Sequence, residues 1–285
     1  LAGEDSVVPP AHQLRPASGS NIEELKMKAS ALPAFCLASI AILAQPVRAA
    51  LSDEIQVYTD DINAPREFGL ELHANFTPDG RRIPEYPGEV VPHRGLRLTP
   101  EFSYGLTGAF EAGLYVPASR DRSGSTSVAG WKARLKWLPI RGSEEEGGWF
   151  LGANGELSRL SRKFSASRDG FELRLMGGYR TPGWLVAVNP VFGWDLSPGF
   201  REKTPDFAVS MKASRRIAEG LSVGAEYYSG LGRLNKFLPQ GEQDNTLYAA
   251  IDYEAKSWSL NFGAGRGLTD ATDKTTVKAI IGFQF

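Results

Sequence analysis

The chain has 285 residues, 42% of them hydrophobic and 23% charged, with 32 Lys+Arg set against 33 Asp+Glu, 31 Gly and a single Cys. Balanced charge supplies no bulk field to recruit nucleic acid or anionic lipid, and one cysteine cannot found a disulfide framework. The only long apolar run, 31–44, falls short of the about 20 residues a spanning helix needs, which excludes an α-helical membrane protein.

Residues 1–26 are polar, contain proline and show no periodicity, so they read as an upstream extension with Met27 as the initiator. Met27-Lys28 is a short basic start, ALPAFCLASIAILA (31–44) an apolar core, and Gln45-Pro46-Val47-Arg48-Ala49 carries small or branched residues where a signal peptidase reads. This is the three-part pattern of a secretory signal peptide over 27–49, with cleavage after Ala49 and Ala50 as the near alternative. A short membrane anchor is the competing reading; the brief core and the lack of a positive stop flank argue against it. Cys36 is followed by more apolar core, so it does not mark a lipid attachment site, and the mature chain then holds no cysteine. Disulfides, thiol catalysis and Cys-ligated metals are removed together. Residues 50–65 are expected as a periplasmic lead-in and 66–285 as the folded body of an exported protein.

From Glu67 onward, segments of about ten residues alternate apolar with polar, the signature of strands with two unlike faces. The first sets Phe68, Leu70, Leu72, Ala74 and Phe76 against Gly69, Glu71, His73 and Asn75; the fourth sets Trp131, Ala133, Leu135 and Trp137 against Lys132, Arg134 and Lys136. Counted this way there are twelve: 66–77, 95–106, 109–118, 128–138, 149–159, 170–180, 184–195, 207–217, 221–229, 246–254, 258–267 and 276–285. Very short turns at 107–108, 181–183, 218–220 and 255–257 interleave with longer gaps, the acidic stretch 139–148 being the exception. An even strand number with short turns on one side and long loops on the other predicts an all-β fold, a closed antiparallel transmembrane barrel. In hydrocarbon every backbone N–H and C=O needs a partner, which a closed sheet supplies and an open one cannot. A secreted all-β protein is the competing reading, and it must explain why the opposite strand faces are charged.

Trp131, Trp137, Trp149, Trp184, Trp194 and Trp258 all fall on the apolar parity, mostly near strand ends. Indole rings there suit the boundary between lipid and headgroup. Pro100 and Pro190 each remove a ladder donor and are expected as local bulges. The last strand alternates and closes on Phe283 and Phe285, resembling the assembly signal of bacterial outer-membrane barrels; the implied partners are outer-membrane lipid and the barrel-assembly machinery.

LSVGAEYYSGLG (221–232), Trp258-Ser259-Leu260-Asn261-Phe262-Gly263, GRGLTDATD (265–273) and KAIIGFQF (278–285) together resemble the MetA-pathway-of-phenol-degradation family of outer-membrane proteins. The likeness covers roughly the last 65 residues. It implies an exported barrel acting as a channel or transporter, with the phenol link resting on genomic association, and it names no substrate.

If the apolar parity faces lipid, the other lines the lumen: Glu71, His73, Arg97, Glu101, Lys132, Arg134, Lys136, Glu156, Glu172, Arg174, Arg180, Lys212, Arg216, Glu226, Asp252 and Lys278. Such charges tune permeability in an open pore, or pair with one another and plug a narrow one. The mature chain has only His73 and His93, and neither neighbours a nucleophile motif, so no catalytic residue is assigned. Glu71 and His73 share a strand face, with His93 able to fold back over them, a set short of a dedicated metal site. GAGRG (263–267) lacks the helix and Lys-Ser/Thr of a phosphate loop. No cofactor and no nucleic-acid partner is expected. The reading is an outer-membrane channel passing small solutes, aromatic compounds among them, with loops 78–94 and 230–245 as gates and Tyr86, Tyr228 and Phe237 as aromatic contacts. The alternatives are an outer-membrane enzyme acting on lipid or lipopolysaccharide, and a structural barrel with a plugged lumen.

Overall fold

A computed structural model describes residues 53–143 and 145–285. The extension and signal peptide, with Cys36, lie outside the described residues. The strands are β1 (Phe68–Asp79), β2 (Leu96–Gly105), β3 (Phe110–Tyr115), β4 (Ala118–Arg120), β5 (Thr126–Val128), β6 (Gly130–Ile140), β7 (Gly148–Leu160), β8 (Asp169–Arg180), β9 (Trp184–Asp195), β10 (Asp206–Ala218), β11 (Leu221–Arg233), β12 (Lys236–Phe237), β13 (Asp244–Glu254), β14 (Trp258–Gly267) and β15 (Thr275–Gln284). Each pairs antiparallel with its neighbours, and β1 pairs with both β2 and β15, so the sheet closes on itself. β3 with β4, and β5 with β6, are single wall strands interrupted once, while β12 is a two-residue rung on the loop after β11. The wall is a closed barrel of twelve strands.

Proline placement explains one interruption. β1 pairs with β2 in unbroken register through Leu72↔Pro100. On its other side Pro100 offers no N–H, and Pro117 lies beside it in the facing chain, so the ladder lapses between β3 and β4. Pro190 sits in a strand whose register with β10 runs on unshifted, Val209↔Pro190 included. The expected bulges are therefore absent at both prolines. Irregularities fall instead at Ala129, where the extra residue separates β5 from β6, at Leu138–Pro139, where the register with β7 slips by one, and at Phe76–Asp79, Phe207–Ala208 and Arg216–Ala218.

The outward parity is apolar and open to its surroundings: Leu135, Leu157, Leu175 and Val186 are exposed large hydrophobics in mid-wall. Aromatics bound this band at both ends. Trp137, Trp149, Trp184 and Trp258 stand near the short-turn end, and Trp131 and Trp194 near the long-loop end; all six point outward. Several meet cross-strand aromatics: Trp149 meets Tyr179 edge to face at 4.9 Å, and Trp137 stacks on Phe110 at 6.3 Å. Phe285 closes the seam by exchanging main-chain hydrogen bonds with Phe68.

Because the outer band meets hydrocarbon, a charge placed there lacks water or a partner. Leu175→Arg is expected to destabilise the folded barrel by ~2–4 kcal/mol in lipid vesicles, measured by reversible denaturant unfolding. Glu172→Gln, three residues away in β8 on the inner face, should cost well under half of that.

Candidate functional site: a strap across the lumen

Residues 53–63 were expected outside the barrel as a lead-in; instead they run through it as an extended strap. Their partners come from strands all around the wall, which only an interior segment can reach. Asn75 of β1 donates to the Asp53 carbonyl, Lys278 of β15 to Ile55, Arg174 of β8 to Gln56, and Lys136 of β6 to Asp61. Asn189 of β9 grips Tyr58 twice, accepting its N–H at 2.7 Å and donating to its carbonyl at 3.0 Å. Glu111 of β3 accepts the Asn63 N–H at 2.7 Å. The strap pairs with no strand, and the wall side chains named here take two of its N–H groups and five of its carbonyls.

Its side chains are held too. Asp60 makes a bidentate pair with Arg180 (2.6 and 2.9 Å), and Asp53 pairs with Lys132 at 3.3 Å. The Tyr58 hydroxyl meets that of Tyr115 at 2.8 Å, with Arg174 and Lys136 against the face of its ring. Val57 packs on Phe150 and Ala187, and Tyr58 on Leu138 and Met176, giving the lumen a small apolar core. At the short-turn end the chain reverses through Arg66, whose φ of 73° is left-handed, and enters β1. The reversal lies against Gly105, where any Cβ would sit 2.0 Å from the Ala64 carbonyl oxygen.

The inward charges pair in groups. Arg134 bridges Glu101 (2.7 Å) and Glu111 (2.6 Å); Lys132 meets Glu156 at 2.8 Å; Arg174 meets Glu172 at 3.0 Å. Lys212 meets Asp252 at 2.6 Å and Glu226 at 3.4 Å, and Lys278 donates to Glu226. Arg97 is buried against the Phe164 ring, and Arg216 is exposed at the short-turn rim. Pairing of this kind removes most of the transverse field that unpaired rows of charge would set up.

His73 is wholly enclosed, its Nε2 facing Glu101 (3.2 Å) and Glu71 (3.5 Å). A lipid-cleaving triad would need it outside, beside a hydroxyl. His93 does not fold back over it; it stays in the loop, accepting the Gly80 N–H beside Asp79. Phe237 stacks on the outward Phe207 at 6.0 Å and so misses the lumen, whereas Tyr228 faces inward, donating to Glu226.

The strap divides the interior. Above it, toward the long loops, a cavity of about 300 Å³ is walled by Ile55, Val191, Ala208, Tyr228 and Tyr248, with Arg81 and Arg174 among its polar groups. Below it a smaller cavity of about 130 Å³ opens among Glu71, Lys212, Asp252 and Asn261. Gln56 lines both. The loop over 80–95 roofs the upper space: Arg81 forks onto Glu89 (2.6 and 2.8 Å), and its N–H binds Asp273 of the facing loop at 2.8 Å. Burial lifts the Asp273 carboxyl above its ordinary range, against the pull of Arg81.

No family model matches the chain, and no curated protein does. Solved structures share its architecture. An outer membrane channel from Pseudomonas putida F1 superposes with a TM-score of 0.53 at 13% identity, covering 79% of this chain and 97% of that one. A KdgM porin superposes at 0.50 with 11% identity, covering 76% and 99%. The same porin in complex with disordered oligogalacturonate gives 0.50 at 12% identity over the same shares. The chain has the fold of an outer-membrane β-barrel porin. These identities establish architecture alone.

The sequence reading missed the strap and Glu111. The strap has no period, and its only signal was acidic residues (Asp53, Glu54, Asp60, Asp61) upstream of strands rich in inward cations. Removing the Asn189 clamp deletes two buried hydrogen bonds, worth together about 1–3 kcal/mol. Asn189→Ala should therefore raise labelling of a cysteine introduced at Val57 by a water-soluble maleimide by about 5- to 100-fold over the same cysteine in the otherwise native barrel.

Proposed function

We propose that the protein is an outer-membrane channel for small solutes in which the strap is the gate. The observation that carries this reading is the way the strap is held. It lies in the lumen without a ladder, by discrete side-chain hydrogen bonds and ion pairs, and it separates a cavity facing the long loops from one facing the short turns. A segment bound by separable contacts detaches without opening the wall, whereas a strand in the sheet cannot. Passage then follows the lumen charges, with Lys212, Asp252 and Glu226 on the lower side and Arg174 with Glu172 on the upper.

The upper cavity suits a small aromatic solute. Tyr228 and Tyr248 meet edge to face at 5.5 Å on its wall, beside the apolar Ile55, Val191 and Ala208. This agrees with the resemblance of residues 221–285 to the MetA-pathway family, and with loop 80–95 acting as an outer lid. Export by a signal peptide over 27–49, insertion by the barrel-assembly machinery through the Phe283–Phe285 terminus, and contact of the six indoles with outer-membrane lipid belong to the same reading.

The second reading is a structural barrel permanently stoppered by its strap, which the density of strap contacts favours. Deleting residues 53–61 separates the two. In planar bilayers the native barrel should give small or rare conductance steps, and the deletion several-fold larger ones. A folded deletion variant conducting no better than the native barrel would leave only the stopper. For the solute, Tyr228→Ala is expected to weaken block of the deleted barrel's current by phenol at least several-fold.

A further inference from the structure

We propose that Glu71, His73 and Glu101 form a binding site for a divalent transition-metal ion, best suited to zinc, stapling β1 to β2 beneath the strap. The three donor atoms, Glu71 Oε2, His73 Nε2 and Glu101 Oε2, lie within 4.8 Å of one another. The two separations from the imidazole nitrogen are 3.2 and 3.5 Å. With Zn–N and Zn–O bonds of about 2.0–2.2 Å, a tetrahedral site has edges of about 3.3–3.6 Å, so the two edges from the imidazole nitrogen already stand close to the spacing that a tetrahedral ion imposes, and the third needs a carboxylate rotation of about 1 Å at most.

The register supplies an independent reason for a cation here. Glu71 and Glu101 are direct cross-strand partners, both turned inward. Like charges directly opposite one another in a sheet repel. His73, two residues along β1 on the same face, brings its nitrogen between them. A dication converts that repulsion into two attractions, and with His73 as a neutral ligand the site carries the oxygen-and-imidazole set that zinc accepts.

The surroundings orient the ligands. Arg134 Nε donates to Glu101 Oε1 at 2.7 Å, leaving Oε2 for the cluster. Gln56 Nε2 donates to Glu71 Oε2 at 3.2 Å, fixing that carboxylate from the strap. Such outer partners hold first ligands in place in known metal sites. Access comes from one side: His73 and Glu101 are buried, while the Glu71 side chain is 37% exposed and lines the lower cavity. An ion arriving from the short-turn mouth meets Glu71 first, since it is the donor that lines that cavity. All three ligands sit on wall strands β1 and β2, so the site requires no movement of the strap and stands or falls separately from the gating reading.

The test uses the untagged full-length barrel in detergent, stripped with EDTA, equilibrated with zinc, desalted and measured by elemental mass spectrometry. Cobalt(II) serves as the spectroscopic probe. The expected result is about one zinc per barrel, with an intense visible cobalt band of four-coordinate type. His73→Ala and Glu71→Gln should each lower affinity at least about tenfold, with heat-modifiable mobility on gels confirming that the barrel is folded. His93→Ala should leave binding unchanged, since His93 with Asp79 is the other histidine–carboxylate pair. A folded native barrel that retains no zinc, or binding lost in His93→Ala but kept in His73→Ala, would overturn the assignment.

Discussion

Every main-chain polar group that leaves water must find another partner, and this structure is organised by that requirement. In the wall the demand is met by closure: β1 pairs with β15 as fully as with β2, leaving no edge. Once closed, strand alternation sorts the side chains, leucines and indoles outward and charges inward. The strap meets the same demand differently. Several of its N–H and C=O groups are taken by Asn189, Arg174, Lys278 and Glu111, side chains the wall presents because its inner face is polar.

The inner charges therefore serve two purposes at once. Arg134 joins β2, β3 and β6 through Glu101 and Glu111, while Lys278 spans from Glu226 to the strap carbonyl at Ile55. Buried ions of this kind are costly unless paired, and their value lies in geometry more than in net stability. They fix where the strap runs, and they leave two unequal cavities on either side of it. The upper one is largely apolar with tyrosine faces; the lower one is charged. A solute crossing this barrel would meet an amphipathic chamber, then the strap, then an ionic passage.

Much of this was legible in the chain. Period-two alternation located all twelve wall strands within a few residues, because lipid on one side and water on the other force a strict two-sided pattern. The inward assignment of residues such as Glu71, Lys132, Arg174 and Lys278 followed from parity alone. Where proline intruded, the pattern misled. Pro190 tolerates an intact register because only one ladder donor is lost, while slips occur at Leu138–Pro139, beside a third proline, and at Ala129 and Phe207–Ala208, which carry no distinctive mark. Phe237 was misplaced because loop residues have no parity to obey.

The sequence by itself determined the wall, its facing and its aromatic borders, since each depends on nearest neighbours along a strand. Only the tertiary structure decided what fills the lumen. The strap has no repeating pattern, and its partners lie up to 223 residues away, as in the bond from Lys278 to Ile55. Nor could spacing reveal that Glu71 stands opposite Glu101 with His73 between them, because register is set by closing the sheet. Alternation is a local property; pairing across a closed barrel is not.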